Sequence, residues 1–381
     1  MVKNDFKIHY VGSVANQDII KERKPFQGTN AGGKRTFFIA ESLQRTINII
    51  TQGDGQKFGI FNAKKLQLTH IISAYFPPLI NFNFFNINIS KLFYSLYLLI
   101  YLMQKVKKND WVILYNCNTF HVLPVVLAKF FKKYKYILHI EELYCYERKF
   151  IRERMQNFAA KYSTACFAVN TIIIKHIHYK KPYLITKGYS TFRDEYLNFY
   201  SNNHDIPTIF YAGRIENVGG VEFILDAIPY INKKCRLIIT GSGSLEEKFK
   251  QYQSTNPLVE YEYKGLLKEE DFYCHLINAK IGLNPIRISN IFSQWSFPSK
   301  ILQYLEFGCI VVSTNIPAVK ELTQFDSLFK IYNHDSAIEL ANAINEALNT
   351  SINKTEVIQM LKQHFQDEKN NIYTFFNKLN Q

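Results

Sequence analysis

The stretch Phe297-Pro298-Ser299-Lys300-Ile301-Leu302-Gln303-Tyr304-Leu305-Glu306-Phe307-Gly308 runs on into Cys309-Ile310-Val311-Val312-Ser313. It reads as a loop, a helix of two to three turns and a buried strand. Pro298 stands at the expected first helical position, where its missing N–H costs nothing, and Gly308 follows the last turn. The amides of Ser299, Lys300 and Ile301 then point out of the helix start and suit an anion. Ile301, Leu302 and Leu305 form the apolar face, which leaves Lys300, Gln303 and Tyr304 beside the opening. An ordinary capped helix fits the same residues.

The segment is similar to the donor-binding segment of retaining, family-four-type (group 1) glycosyltransferases of bacterial polysaccharide synthesis. That resemblance implies an α/β protein of the GT-B fold, two Rossmann-like domains facing a cleft. Residues 1–195 would be the acceptor domain, 206–354 the nucleotide-sugar donor domain, and 355–381 a helix crossing back to the first domain. In the family, two glutamates separated by seven residues bracket the segment, and the second holds the donor ribose. The matching positions here are Trp295 and Gln303. The amide of Gln303 can still bond a ribose hydroxyl, whereas Trp295 cannot imitate a carboxylate.

The second half opens with a strand, Thr208–Ala212, followed by Gly213-Arg214-Ile215-Glu216-Asn217-Val218-Gly219-Gly220. The resemblance makes this a diphosphate loop, with Arg214 at the family's arginine and Gly219 where its lysine belongs. Lys300, or a nest formed by the amides of Gly219 and Gly220, would supply the missing positive charge. The strand Arg236–Thr240 enters Gly241-Ser242-Gly243-Ser244, a nucleotide-facing turn without the third glycine of a dinucleotide fingerprint. Lys264-Gly265-Leu266 is similar to the family's segment that meets the nucleobase.

The first half starts with the strand Lys7–Val11 and a polar loop ending in Asn30-Ala31-Gly32-Gly33. Both glycines are expected between that strand and a helix whose apolar face carries Phe37, Ile39, Ala40, Leu43 and Ile47. By resemblance they form the family's glycine loop near the acceptor and the transferred sugar. Strands and helices alternate through the turn Gly53-Asp54-Gly55, the helix Leu92–Val106, the strand Trp111–Tyr115 and the helix Val122–Phe131. The strand Tyr136–Ile140 then ends in Glu141-Glu142, at the edge where open α/β sheets bind ligands. The resemblance gives Glu141 the place of a family histidine, where it is expected to orient the sugar rather than attack it. Pairing with Arg148 or Arg152 is the structural alternative. A helix Glu147–Tyr162 and strands Ala165–Val169 and Tyr183–Lys187 complete this half, and Asp194–Asp205 reads as the linker.

At 381 residues the chain suits two cores. Its net charge of +14 is concentrated in residues 1–200, which hold 29 Lys+Arg against 12 Asp+Glu. An anionic membrane surface fits that charge, and so does the Lys- and Asn-rich usage of an AT-rich genome. No nucleic-acid module is recognisable, so nucleic acid is not expected as a partner. The apolar run Leu92–Met103 is too short to span a bilayer and is expected as a buried helix of a cytoplasmic protein, at most peripheral on the inner face of the membrane. Six scattered cysteines without a Cys-x-x-Cys pair fit a reducing compartment. His176 and His178 diverge on a helix amid lysines, so no metal is expected there.

No Asp-x-Asp occurs, and the resemblance implies metal-independent transfer with no cofactor. A UDP- or GDP-linked nucleotide sugar would be the donor substrate, and a glycan or lipid-linked molecule the acceptor. Arg214, Lys300 and the helix-start amides would neutralise the leaving diphosphate, with Glu141 on the sugar. The rivals are an inactive homologue that binds a nucleotide sugar or a partner transferase, and an oxidoreductase, which the incomplete glycine fingerprint disfavours.

Overall fold

The computed structural model describes residues 6–14, 19, 22, 31–51, 59–81, 83–84, 87–143, 150–201 and 206–381. Asn30, the Gly53-Asp54-Gly55 turn, Cys145, Glu147, Arg148 and residues 202–205 of the expected linker lie outside them. The chain divides into two compact units, Met1–Tyr189 with Asp367–Gln381, and Ser190–Gln366.

Unit 1 is built on an eight-stranded sheet. Its strands are β1 (Ile8–Val11), β2 (Ile47–Ile50), β3 (Lys64–Gln67), β4 (Ile72–Phe76), β5 (Trp111–Tyr115), β6 (Lys135–Ile140), β7 (Ala165–Ala168) and β8 (Tyr183–Ile185). The order is β8-β7-β6-β5-β1-β2-β4-β3, parallel except for β3, which runs antiparallel to β4. Continuous runs such as Trp111–Leu114 and Ala165–Ala168 are wholly buried, as parallel strands covered on both faces must be. Covering helices include α1 (Ala31–Ser42), α2 (Ile89–Lys105), α3 (Thr119–Lys132) and α4 (Phe150–Tyr162). Asn118 caps α3 by accepting from the Phe120 amide, and Lys133 ends it in the left-handed region at φ 59°.

Two expectations change here. Gly32 and Gly33 lie inside the first turn of α1 rather than in the loop before it. The helix around Leu92–Met103 is not buried: Tyr94, Leu98 and Leu102 face the core, while Leu92, Phe93, Leu96 and Ile100 are exposed. The run of apolar residues concealed two faces, only one of which is buried.

Unit 2 has six parallel strands, β9 (Thr208–Ala212), β10 (Cys235–Thr240), β11 (Val259–Tyr263), β12 (Ile281–Asn284), β13 (Ile310–Thr314) and β14 (Phe329–Tyr332). Their order, β11-β10-β9-β12-β13-β14, is the doubly wound one, which reverses between β9 and β12. The helices α5 (Ser299–Glu306) and α6 (Ala337–Asn349) flank it. Leu340 and Ile344 of α6 join Ile209, Ile239, Leu283 and Val312 in one core. Unit 2 begins at Ser190, earlier than the expected boundary near 195. Asp194–Phe199, expected as linker, forms a 3-10 turn whose Tyr196 stacks on Tyr273 at 4.2 Å between ring centroids. The aromatic pair buries Tyr196 and fixes the segment on unit 2.

The last helix, α7 (Lys354–Lys378), is divided between the units at Gln366/Asp367. Within unit 1 its final turns bury Ile372 and Phe376, the latter 5.3 Å from the Trp111 ring. Tyr373, expected on the packing face, is only half-buried.

Candidate functional site

At the C-terminal edge of the unit 2 sheet three strand-ending turns are sewn together by backbone. Gly213 N donates to Thr240 O at 3.0 Å, Ile215 N to Ser242 O at 3.0 Å, and Gly241 N to Gly265 O at 2.8 Å. The Thr240 hydroxyl adds a bond to Gly265 O at 2.6 Å. Gly241 has φ +140°, and a Cβ there would fall 1.7 Å from the Gly213 carbonyl oxygen. At Gly243 a Cβ would fall 2.4 Å from Ile215 O. Turn-on-turn packing therefore requires both glycines, independently of any ligand. Gly265, at φ +62°, has no atom within 4 Å of where a Cβ would stand. Open space lies beside it.

Lys300 enters this edge from α5. Its Nζ lies over the Tyr211 ring, 4.6 Å from the centroid, and a Cβ on Gly213 would come within 1.9 Å of it. Tyr211 is itself fixed by donating to Arg214 O at 2.9 Å. Burial pushes the Lys300 ammonium down to about 8, and among the described residues no carboxylate pairs with it. A half-buried cation facing a glycine turn and lacking a protein anion is suited to an anionic ligand.

Several expectations about this segment are corrected. Pro298 is the residue before the helix, not its first, and its carbonyl accepts from Ile301 N at 3.0 Å. Ser299 and Lys300 thus contribute the helix-start amides. Tyr304 is core, not opening: its hydroxyl accepts from Ala212 N at 3.1 Å, and its ring fills the space beside Gly282. Gln303 Nε2 donates to Thr191 Oγ1 at 3.2 Å, one turn round from Lys300. Glu306, fully buried, accepts from the Ser190 hydroxyl, from Thr191 N at 2.9 Å and from Thr191 Oγ1 at 3.3 Å. Burial pushes Glu306 up to about 7, although these donors pull the other way.

The Arg214 side chain is 69% exposed, with Glu216 4.0 Å away. The nest expected at Gly219 and Gly220 is absent, because their amides donate within the turn to Glu216 O and Asn217 O at 3.1 and 3.2 Å. Beside this turn stands Arg287, which sequence reasoning missed. It donates to Asn217 O at 3.1 Å, pairs with Glu222 and lies 4.7 Å from the Phe223 ring. Nothing in its local sequence marks it.

In unit 1, Glu141 ends a buried relay. The Tyr10 hydroxyl bonds His139 Nδ1 at 2.5 Å, and His139 Nε2 bonds Glu141 Oε1 at 3.0 Å. Burial keeps the Tyr10 phenol protonated and His139 neutral, so Nδ1 accepts from Tyr10 and Nε2–H donates to Glu141. Arg35 Nε donates to the same oxygen at 2.5 Å, and its other nitrogens bond the carbonyls of Thr186 and Gly188. Burial alone would raise Glu141, but Arg35 and His139 hold it at about 2. It is an ionised acceptor, 21% exposed, and too weak a base to abstract protons at neutral pH. Its cation is Arg35 of α1 rather than Arg152, one of the two arginines of the structural alternative; the other, Arg148, lies outside the described residues. Gly32 lies near this group through Tyr115, whose hydroxyl would be 3.0 Å from a Cβ on Gly32. Among the described residues no group of three His, Cys, Asp or Glu side chains could hold a metal.

Residues 206–350 match the family model described as Glycosyl transferases group 1. No curated protein sequence matches the chain. Among solved structures, Anabaena Alr3699/HepE in complex with UDP is similar at 12% identity and a TM-score of 0.66, covering 98% of each chain. Sucrose-phosphate synthase of Thermosynechococcus elongatus is similar at 11% identity and a TM-score of 0.63, covering 97% of this chain and 95% of that one. A glycosyltransferase of Rickettsia africae gives 13%, a TM-score of 0.60, and coverage of 99% and 96%. At these identities the likeness is one of fold. Residues 206–350 are thus similar to the group 1 glycosyltransferases, and the fold of the chain is GT-B.

Proposed function

We propose that the protein transfers a sugar, with retention of configuration, from a UDP- or GDP-linked donor to a glycan or lipid-linked acceptor in bacterial surface polysaccharide synthesis. The observation that carries this reading is the Lys300 ammonium, held over Tyr211 and Gly213 with no carboxylate paired to it among the described residues. There it neutralises a leaving diphosphate, joined by the Ser299 and Lys300 amides and by Arg214, whose exposed side chain is free to swing inward. The space beside Gly265 takes the base. Glu141, ionised at neutral pH, accepts from a sugar hydroxyl and orients it. UDP is the favoured nucleotide because the similar HepE structure holds it. The basic first half of the chain suits work at an anionic membrane face.

Incubation of the protein with membrane extract and a panel of radiolabelled UDP- and GDP-sugars tests the reading. Label is expected to pass from one donor into an extractable product with the donor's anomeric configuration. Nucleotide binding with no product from any donor would favour a binding-only homologue, a reading that Gln303 supports by being already engaged with Thr191.

A further inference from the structure

Single exposed apolar side chains are ordinary on a protein surface, but an unbroken field of them is not. Leu92, Leu96 and Ile100 recur at intervals of four along the outer face of α2, and Leu123, Leu127 and Phe131 do so at the same spacing along α3. All six are exposed, Leu96 at 57% and Phe131 at 72%.

The two helices pack side by side and run in the same direction. Tyr94 and His121, near their starts, have ring centroids 5.1 Å apart, and near their ends Lys132 Nζ donates to Met103 O at 2.8 Å. Because their inner faces both meet the sheet, the two outer stripes lie next to each other as one field, with Phe93 and Phe130 widening it.

The charge of the segment that carries this field has one sign. Residues 90–135 contain eight lysines and a single acidic residue, Asp110. Asp110 is buried and accepts from the amides of Lys7 and Lys107, each at 2.8 Å, so it shows no charge outward. Lys105, Lys107, Lys108 and Lys133 are exposed where α2 and α3 end. No helix among the described residues is long and apolar enough to cross a membrane, so any bilayer contact through these helices is from the side.

We infer that the outer face of α2 and α3 is a docking surface for a bilayer containing anionic phospholipid. Its leucines and phenylalanines enter the level of the acyl-chain boundary, and the lysines at the helix ends engage headgroup phosphates. A second copy of the chain is a poorer occupant, since a two-fold pairing of this face sets one lysine rim against the other. The inference rests on the membrane-face part of the proposed function and requires no particular sugar or base.

Co-sedimentation of the full chain with vesicles, without donor or acceptor, tests it. Phosphatidylcholine vesicles are compared with phosphatidylcholine mixed with phosphatidylglycerol, at low and high salt. Two variants are included: Leu96→Asp with Leu127→Asp, and Lys105→Glu with Lys107→Glu and Lys108→Glu. Partition is expected only into the anionic vesicles, weakened about tenfold or more by high salt and by either variant. The changed side chains are all exposed, so melting temperatures should match the parent. UDP binding in solution should match it too, which separates failure here from failure of the glycosyltransferase reading. Equal partition into both vesicle types, or unchanged partition of both variants, overturns the inference. So does a parent that sediments as a dimer and is made monomeric by the leucine variant, since that makes a second copy the occupant.

Discussion

Lys300 Nζ occupies the space that a side chain at Gly213 would need, and rests on the Tyr211 ring 4.6 Å from its centroid. The ring quadrupole is a weaker partner than a carboxylate, so the ammonium is held where folding alone does not favour it. Its folded value of about 8 lies below its ordinary 10.5, so the folded state binds fewer protons between those values. Stability should therefore rise with pH from about 8 to 10.5. In Lys300→Met that rise should vanish, and at pH 7 the variant should melt at or above the parent's temperature. Thermal melts across this range read both effects; a lower melting temperature for Lys300→Met would make the lysine a structural residue.

Two neighbouring glycines should separate when substituted. Gly213→Ala meets the flexible end of Lys300, which can swing away, so stability should change by less than about 1 kcal/mol while UDP affinity falls. Gly241→Ala meets the Gly213 carbonyl at φ +140° and should cost about 2–3 kcal/mol. Urea titrations measure both, and equal losses would mean that Lys300 is as fixed as backbone.

The relay in unit 1 makes a prediction in acid. Glu141 at about 2 lies below its ordinary 4.5, so its contribution to stability is complete above 4.5 and lost as pH falls toward 2. Arg35→Met removes its buried cation and should cost about 2–4 kcal/mol at pH 7, with the acid-dependent loss much reduced. Urea midpoints at pH 7 and pH 3 measure this. A cost below about 0.5 kcal/mol would show that Glu141 does not depend on Arg35.

Glu306 behaves in the opposite sense. Its folded value of about 7 is above the ordinary 4.5, so the folded state binds the extra proton and stability should fall as pH rises from 4.5 to 7. Glu306→Gln should flatten that slope. It should also loosen Ser190 and Thr191, because the amide can accept through only one oxygen. An unchanged slope in the variant would place the titration elsewhere.

How much of this could be read from the sequence depended on whether the determinants were local. The α5 segment combined a proline start, a helical apolar face and a glycine stop, so both the element and Lys300 were visible in twelve residues. The alternation of buried strands and helices, with Glu141 at a strand end, followed for the same reason. Partners distant in the chain could not be read. Arg35 lies 106 residues from Glu141, and only the folded sheet brings α1 to the end of β6. Arg287 and Glu222, 65 residues apart, meet in the same way. The exposed face of α2 was misread as core because apolar composition alone does not say which side of a helix has a neighbour. Tyr304 was misplaced because Gly282, which makes room for its ring, belongs to another strand.

Isothermal titration of UDP and GDP into the parent and Lys300→Met shows whether Lys300 holds a donor diphosphate against the Gly213 turn. The parent should bind at least one of them, with an affinity that falls as pH rises above about 8. Binding to the variant should be roughly 10- to 100-fold weaker, the size of a hydrogen bond to a charged group. Equal affinity of a folded Lys300→Met variant for the nucleotide that the parent binds would contradict that role.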